Sequence, residues 1–147
     1  MKAIDPPIVV SAVYPCSTEK LWSAITKLDE MKKWYFDNIP EFEAIKGFKT
    51  KFAVSSDTRT FTHNWEVTNV NNGKRIQYTW TFDEYPGESY SRFEILPINE
   101  SKTQLTLTCI VTSNFPNEIT EFKRESCIGG WEYFLNDRLK TYFQNES

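Results

Sequence analysis

His63 is the one histidine in the 147 residues, and imidazole is the side chain whose ordinary pKa, near 6.5, suits proton transfer at neutral pH. In Phe61-Thr62-His63-Asn64-Trp65 it occupies the same alternate positions as the aromatics, so it points where they point. A general base or a polar anchor in an apolar pocket would fit that placement, and so would a plain inward histidine bonded to the backbone. No Ser, Cys or Asp stands at a spacing that argues for a triad, although such partners need only meet in space. Arg138 is the second candidate, because it interrupts an otherwise apolar arc of the C-terminal stretch. It can pair with a ligand carboxylate, form a structural ion pair, or carry its stem across apolar surface to reach water. Cys16, Cys109 and Cys127 are an odd, widely separated set without a CxxC. With a single histidine they do not compose a metal site, and they read as reduced core or near-surface thiols. No metal or cofactor is expected. Gly129-Gly130 lacks the glycine-rich surroundings of a phosphate loop and suggests a kink or a close approach of the helix to another surface. Glu66, Glu94 and Glu132 read as members of solvated faces.

The totals bound what these residues can serve. The length fits one domain, residues 1–147, with enough chain to bury a core without disulfides. Aromatics make up 16% of it, which is much bulky apolar surface to place. The net charge of −3 is spread over interspersed acids and bases, with no basic cluster to follow a phosphate backbone, which argues against nucleic acid. Pro6-Pro7 arrives before any signal-like apolar run, and nothing approaches a membrane span. A cytoplasmic protein is expected.

The positioning elements follow from periodicity. Ile8 to Tyr14 is β-branched and apolar, a strand that Pro15 stops. Ser17 is placed to cap a helix through Thr26, and Asp29 to cap a second one holding Met31, Trp34 and Tyr35. From residue 42 to 112 the period is two. Successive strands bring Phe61, His63, Trp65 and Val67, then Ile76, Tyr78, Trp80 and Phe82, then Ser91, Phe93 and Ile95, then Leu105, Leu107, Cys109 and Val111 to inward faces. Residues 55–58 read as a loop, and Asn71-Asn72-Gly73-Lys74 predicts a type I′ hairpin turn. Asn117 to Phe143 reads as one long amphipathic helix, capped by Asn117, with Glu118 and Glu121 in its first turn. Taking Trp131 as origin, Cys127, Ile128, Phe134, Leu135, Leu139 and Tyr142 share its side, and so does Arg138. One covering helix on a half-apolar sheet gives an α+β domain, a curved antiparallel β-sheet wrapped around its terminal helix. Two short helices after the first strand are expected to close the open end. The space left there is either filled or kept as a pocket, and Trp34, Phe61, Trp65, Tyr78, Trp80, Phe93 and Trp131 are the bulky residues available to line it.

The stretch Pro15-Cys16-Ser17-Thr18-Glu19-Lys20-Leu21-Trp22-Ser23-Ala24-Ile25-Thr26 resembles the opening motif of the START-like (SRPBCC, birch-pollen-allergen-like) superfamily. His63-Asn64-Trp65-Glu66-Val67, Tyr78-Thr79-Trp80, Phe93-Glu94-Ile95 and Gly130-Trp131-Glu132 are similar to its subgroup named after the activator of heat-shock protein 90 ATPase. The resemblance runs from about residue 8 to the end. It implies the helix-grip fold enclosing an apolar cavity, with Gly130-Trp131 facing the sheet. The glycine-rich turn often found before the second strand in the family is here only Lys46-Gly47-Phe48.

These readings converge on a binding module for a small hydrophobic or amphipathic molecule. Its candidate ligand contacts are Trp34, Phe61, His63, Trp65, Tyr78, Trp80, Phe93, Trp131, Leu135 and Arg138. Two other functions stay open: a chaperone-interaction protein of the heat-shock protein 90 co-chaperone type, and a cyclase or hydrolase using His63 as base. No residue is assigned a catalytic role.

Overall fold

Alternating apolar positions build six strands in the computed structural model, which describes residues 1–56 and 58–146; Asp57, in the expected 55–58 loop, lies outside the described residues. They are β1 (Ile8–Tyr14), β2 (Lys49–Ser55), β3 (Thr60–Asn71), β4 (Arg75–Phe82), β5 (Glu88–Asn99) and β6 (Lys102–Ser113). All neighbours are antiparallel in one sheet of order β1-β6-β5-β4-β3-β2. The burial of β3 alternates along the expected inward face, with Phe61, His63, Trp65 and Val67 buried. Between Asn71 and Arg75 the turn differs from the expected type I′. Only Gly73 takes a positive φ, 79°, while Asn72 does not. Three residues separate the paired ends, and one left-handed glycine suffices to reverse such a loop.

Between β1 and β2 lie two short helices, α1 (Thr18–Thr26) and α2 (Leu28–Trp34). The Ser17 hydroxyl accepts the Lys20 N–H, as its position before α1 predicts. Asp29 does not cap α2. Lys27 holds that position without a side-chain bond, Asp29 falls in the first turn, and Tyr35 ends the helix instead of belonging to it. Freed from helical geometry, Tyr35 turns into the middle of the domain. Its ring stacks on Trp34 at 4.5 Å and on Trp65 at 5.4 Å, and its hydroxyl meets that of Tyr78 at 3.0 Å.

The C-terminal helix, expected from Asn117, begins at Arg124. It runs as α3 (Arg124–Glu132), a π-helical turn (Tyr133–Arg138) and α4 (Leu139–Glu146). Residues 114–123 are instead a crossing segment with a single 3-10 turn, Thr120–Phe122. Phe115, Ile119 and Phe122 have helical spacing, yet they insert into a second apolar cluster with Phe61. Extended backbone at Ile119 and Lys123 allows it. Burying three such side chains is worth several kcal/mol, more than the propensity a few helical residues would recover.

The π turn accounts for Arg138. At about 100° per residue Arg138 would lie within roughly 20° of Trp131 in a uniform α-helix and face the sheet. In the wide turn the Leu139 N–H reaches back to the Phe134 carbonyl, five residues earlier. That extra residue sets the following side chains back by about 100°, so Leu139 takes the place Arg138 would have had. Trp131, Leu135, Leu139 and Phe143 then form the buried stripe at steps of four, all less than a tenth exposed. The domain is a helix-grip fold: a curved antiparallel sheet closed on a long terminal helix, with two short helices after the first strand.

Candidate functional site

At one end of the grip the sheet and α3 do not meet, and a pocket of about 200 Å³ remains between them. Period-two alternation supplies one wall, with Phe61 and His63 from β3, Trp80 and Phe82 from β4, and Ser89 and Ser91 from β5. Cys109 of β6 stands across from Ser91 in the ladder. The helix adds Cys127, Gly130, Trp131 and Phe134. Phe115, Glu121 and Phe122 of the crossing segment complete the enclosure, with Met1, whose amino group donates to the Phe122 carbonyl at 2.7 Å. The two short helices contribute nothing to this wall, contrary to their expected place at the open end. That task falls to residues 114–123, of which sequence periodicity assigns those from Asn117 on to the helix.

His63 is 6% exposed, and its Nδ1 lies 3.0 Å from the Phe61 carbonyl oxygen. A carbonyl only accepts, so the neutral ring carries its proton on Nδ1 and leaves Nε2 as an acceptor. Phe52 stacks on the ring at 5.1 Å and Phe82 meets it edge-on at 4.8 Å. Burial pushes the His63 pKa down to about 4, against smaller opposing effects from the Phe61 carbonyl and Glu84. The imidazole is therefore neutral at physiological pH, a weak base and a polar contact in an apolar wall.

The ten sequence-nominated contacts divide into three sets. Phe61, His63, Trp80 and Trp131 meet at the pocket, where the Trp80 and Trp131 rings are 5.3 Å apart. Trp34, Trp65, Tyr78, Phe93 and Leu135 are no more than 2% exposed and lie behind that wall. Tyr35 and Phe36 fill the space those residues would otherwise line: Tyr35 packs on Trp34, Trp65 and Phe93, and Phe36 on Trp65 and Trp80. Arg138 lies outside the pocket wall. Its guanidinium donates to the Lys33 carbonyl at 2.8 Å, near the end of α2, and lies 6.0 Å from the Tyr133 ring centroid. A cation there complements the negative end of a helix.

Sequence reading missed Cys109, Cys127 and Ser91 as site residues, although their inward positions were legible. Phe122 carried no usable signal, because its place reads as part of the expected helix, and Phe115 fell in the unassigned stretch before it. Neither Gly129 nor Gly130 marks a close approach, since a Cβ on either would meet nothing within 4 Å. Gly130 borders the pocket instead. Among the described residues no group of three or more His, Cys, Asp or Glu gathers as a metal site. No helix there is long and apolar enough to cross a membrane.

The chain matches the family model described as Activator of Hsp90 ATPase homolog 1-like protein over residues 15–144. No curated protein matches it in sequence. Solved structures with the same fold include a protein from Chromobacterium violaceum, 19% identical, with a TM-score of 0.76, 94% of this chain and 96% of that one being covered. A Mesorhizobium loti protein is 21% identical, with a TM-score of 0.72 and coverage of 97% and 99%. The protein titled the Aha1 dimer from Colwellia psychrerythraea is 22% identical, with a TM-score of 0.70 and coverage of 95% and 96%.

Proposed function

Since the chain belongs to the family of Activator of Hsp90 ATPase homolog 1-like proteins, we propose that it is a binding module for a small apolar or amphipathic molecule held between Trp131 and the sheet. The observation that carries this reading is the pocket itself. Its walls are mostly aromatic rings, and few polar atoms face it, among them those of His63, Ser89 and Ser91. A volume near 200 Å³ compares with the roughly 150 Å³ of an engineered apolar cavity that takes up benzene. A ligand of about one ring is therefore the expected size. Burying about 250 Å² of apolar ligand surface contributes roughly 6 kcal/mol before association costs, which sets affinity at micromolar or weaker without further anchors.

Displacement of a hydrophobic dye by single-ring compounds, with native mass spectrometry, tests the reading. Expected is one-to-one uptake that Gly130→Leu abolishes while the melting curve keeps its cooperative shape. Absence of uptake by the unaltered chain overturns it. Family membership supports a second reading, partnership with the Hsp90 chaperone. Mixing the two proteins and measuring binding and ATPase rate tests it, and no change in either removes it.

A further inference from the structure

Two of the three cysteines share the pocket wall, Cys109 from β6 and Cys127 from the first half of α3. Both are free thiols on facing walls of the pocket, and each shifts the other's titration. Trp131, one helical turn on, lines the same wall beside Cys127. The charged groups acting on that sulfur are the Arg124 guanidinium and the Met1 ammonium. Across the ladder from Cys109 stands the Ser91 hydroxyl, in a residue 1% exposed; it interacts with the Cys109 thiol but has no partner that meets hydrogen-bond geometry. A buried hydroxyl left unpaired is costly, and here it faces a space that a ligand atom can enter.

Resting on the reading that this pocket holds a small apolar molecule, we propose that it captures one-ring α,β-unsaturated carbonyl compounds covalently, with Cys127 as nucleophile and Cys109 as proton donor. The Cys127 thiol gives its proton to water, and the resulting thiolate forms a carbon–sulfur bond to the β-carbon. The electron pair of the carbon–carbon double bond moves toward the carbonyl, giving an enolate whose oxygen the Ser91 hydroxyl is placed to bond. The Cys109 S–H delivers its proton to the α-carbon, and the Cys109 thiolate recovers a proton from water. The net change is addition of one S–H across one C=C, so no oxidant or reductant is needed.

The electrostatics agree with that division of labour. The neighbouring Cys109 thiol, ahead of the other contacts, holds the Cys127 thiol below its ordinary range although burial opposes this. The Cys127 neighbour and burial hold Cys109 far above its own. The first proton therefore leaves Cys127 and the second stays on the thiol facing it.

Incubation of the full chain with cyclohexenone at neutral pH, read by intact mass and peptide mapping, tests the proposal. Expected is a single adduct on Cys127, formed about tenfold faster than on glutathione under the same conditions. Cys109→Ser is expected to slow it and to move the pH–rate profile upward, and saturated cyclohexanone to protect Cys127. Cys127→Ser and Cys127→Ala, each checked by thermal melting, should both lose the adduct. Reaction spread evenly over Cys16 and Cys127, or no faster than glutathione, overturns capture. Where cyclohexanone and dye bind yet no adduct forms, capture fails and the pocket reading stands. If the adduct forms as fast in Gly130→Leu and without protection, the pocket reading fails instead, and with it the proposal.

Discussion

The Tyr14 hydroxyl donates to the Leu135 carbonyl at 2.7 Å, joining the end of β1 to the middle of the π turn. Tyr14 is fully buried, and burial pushes its pKa far above the ordinary phenol value, so the donor never ionises in the folded state. A widened turn loosens the regular pairing of helix carbonyls, and this bond satisfies one of them from outside. Tyr14→Phe is expected to lower stability by about 1–2 kcal/mol, measured as a shift in urea midpoint at unchanged slope.

Acid should destabilise the fold before its carboxylates protonate. The folded pKa of His63, about 4, lies below its ordinary 6.5, so the unfolded chain binds the extra proton between those values. Stability is then complete above pH 6.5 and declines as pH falls toward 4, by roughly 3 kcal/mol at the lower end. Asp83, Glu84 and Glu121 have lowered pKa values and add their own losses only at the acid end. Urea titrations between pH 7 and 4.5 should show the slope in the unaltered chain and lose it in His63→Phe. An equal slope in both would assign it to other groups.

The glycines predict opposite signs. Gly87 has a φ of 121°, and a Cβ there would overlap the Phe115 ring. Gly87→Ala combines a left-handed penalty with overpacking, an expected loss of about 2–4 kcal/mol. Gly129 is helical with open space around its Cβ position. Gly129→Ala should raise stability by about 0.5–1 kcal/mol. Differential scanning calorimetry distinguishes a fall from a rise.

Arg138→Ala removes the bond to the Lys33 carbonyl and the contact with Tyr133. A loss of about 1–2 kcal/mol is expected, with dye binding unchanged because the residue lies outside the pocket wall. Weakened dye binding at full stability would return Arg138 to the ligand contacts.

Particular residues show what was readable in advance. The strands were legible because one sheet face is covered, which forces Phe61, His63 and Trp65 onto alternate positions, and three of the four nominated pocket contacts, Phe61, His63 and Trp80, came with them. The helix start was not, since Glu118 and Glu121 imitate a first turn while Phe115, Ile119 and Phe122 are drawn to a cluster that only tertiary structure creates. The division between core and pocket was also hidden. It depends on Tyr35 and Phe36 leaving α2 to fill the grip from within, and no local pattern marks two aromatics for that role.

The wide turn makes chain length and residue type interchangeable. Removing one residue between Tyr133 and Asp137 would restore an even helix, and the residues after it would then meet the sheet in the order that Trp131 alone predicts. In this chain the segment Tyr133–Arg138 is wide, so the arginine can be a surface cation. In a shortened chain Leu139 would follow Trp131 by seven positions and hold the inward place without any bulge. A deletion there and an arginine-to-leucine exchange at 138 are therefore two different ways of putting a leucine seven positions after Trp131, and applying both should leave Leu139 inward with the new leucine turned about 100° away from the stripe.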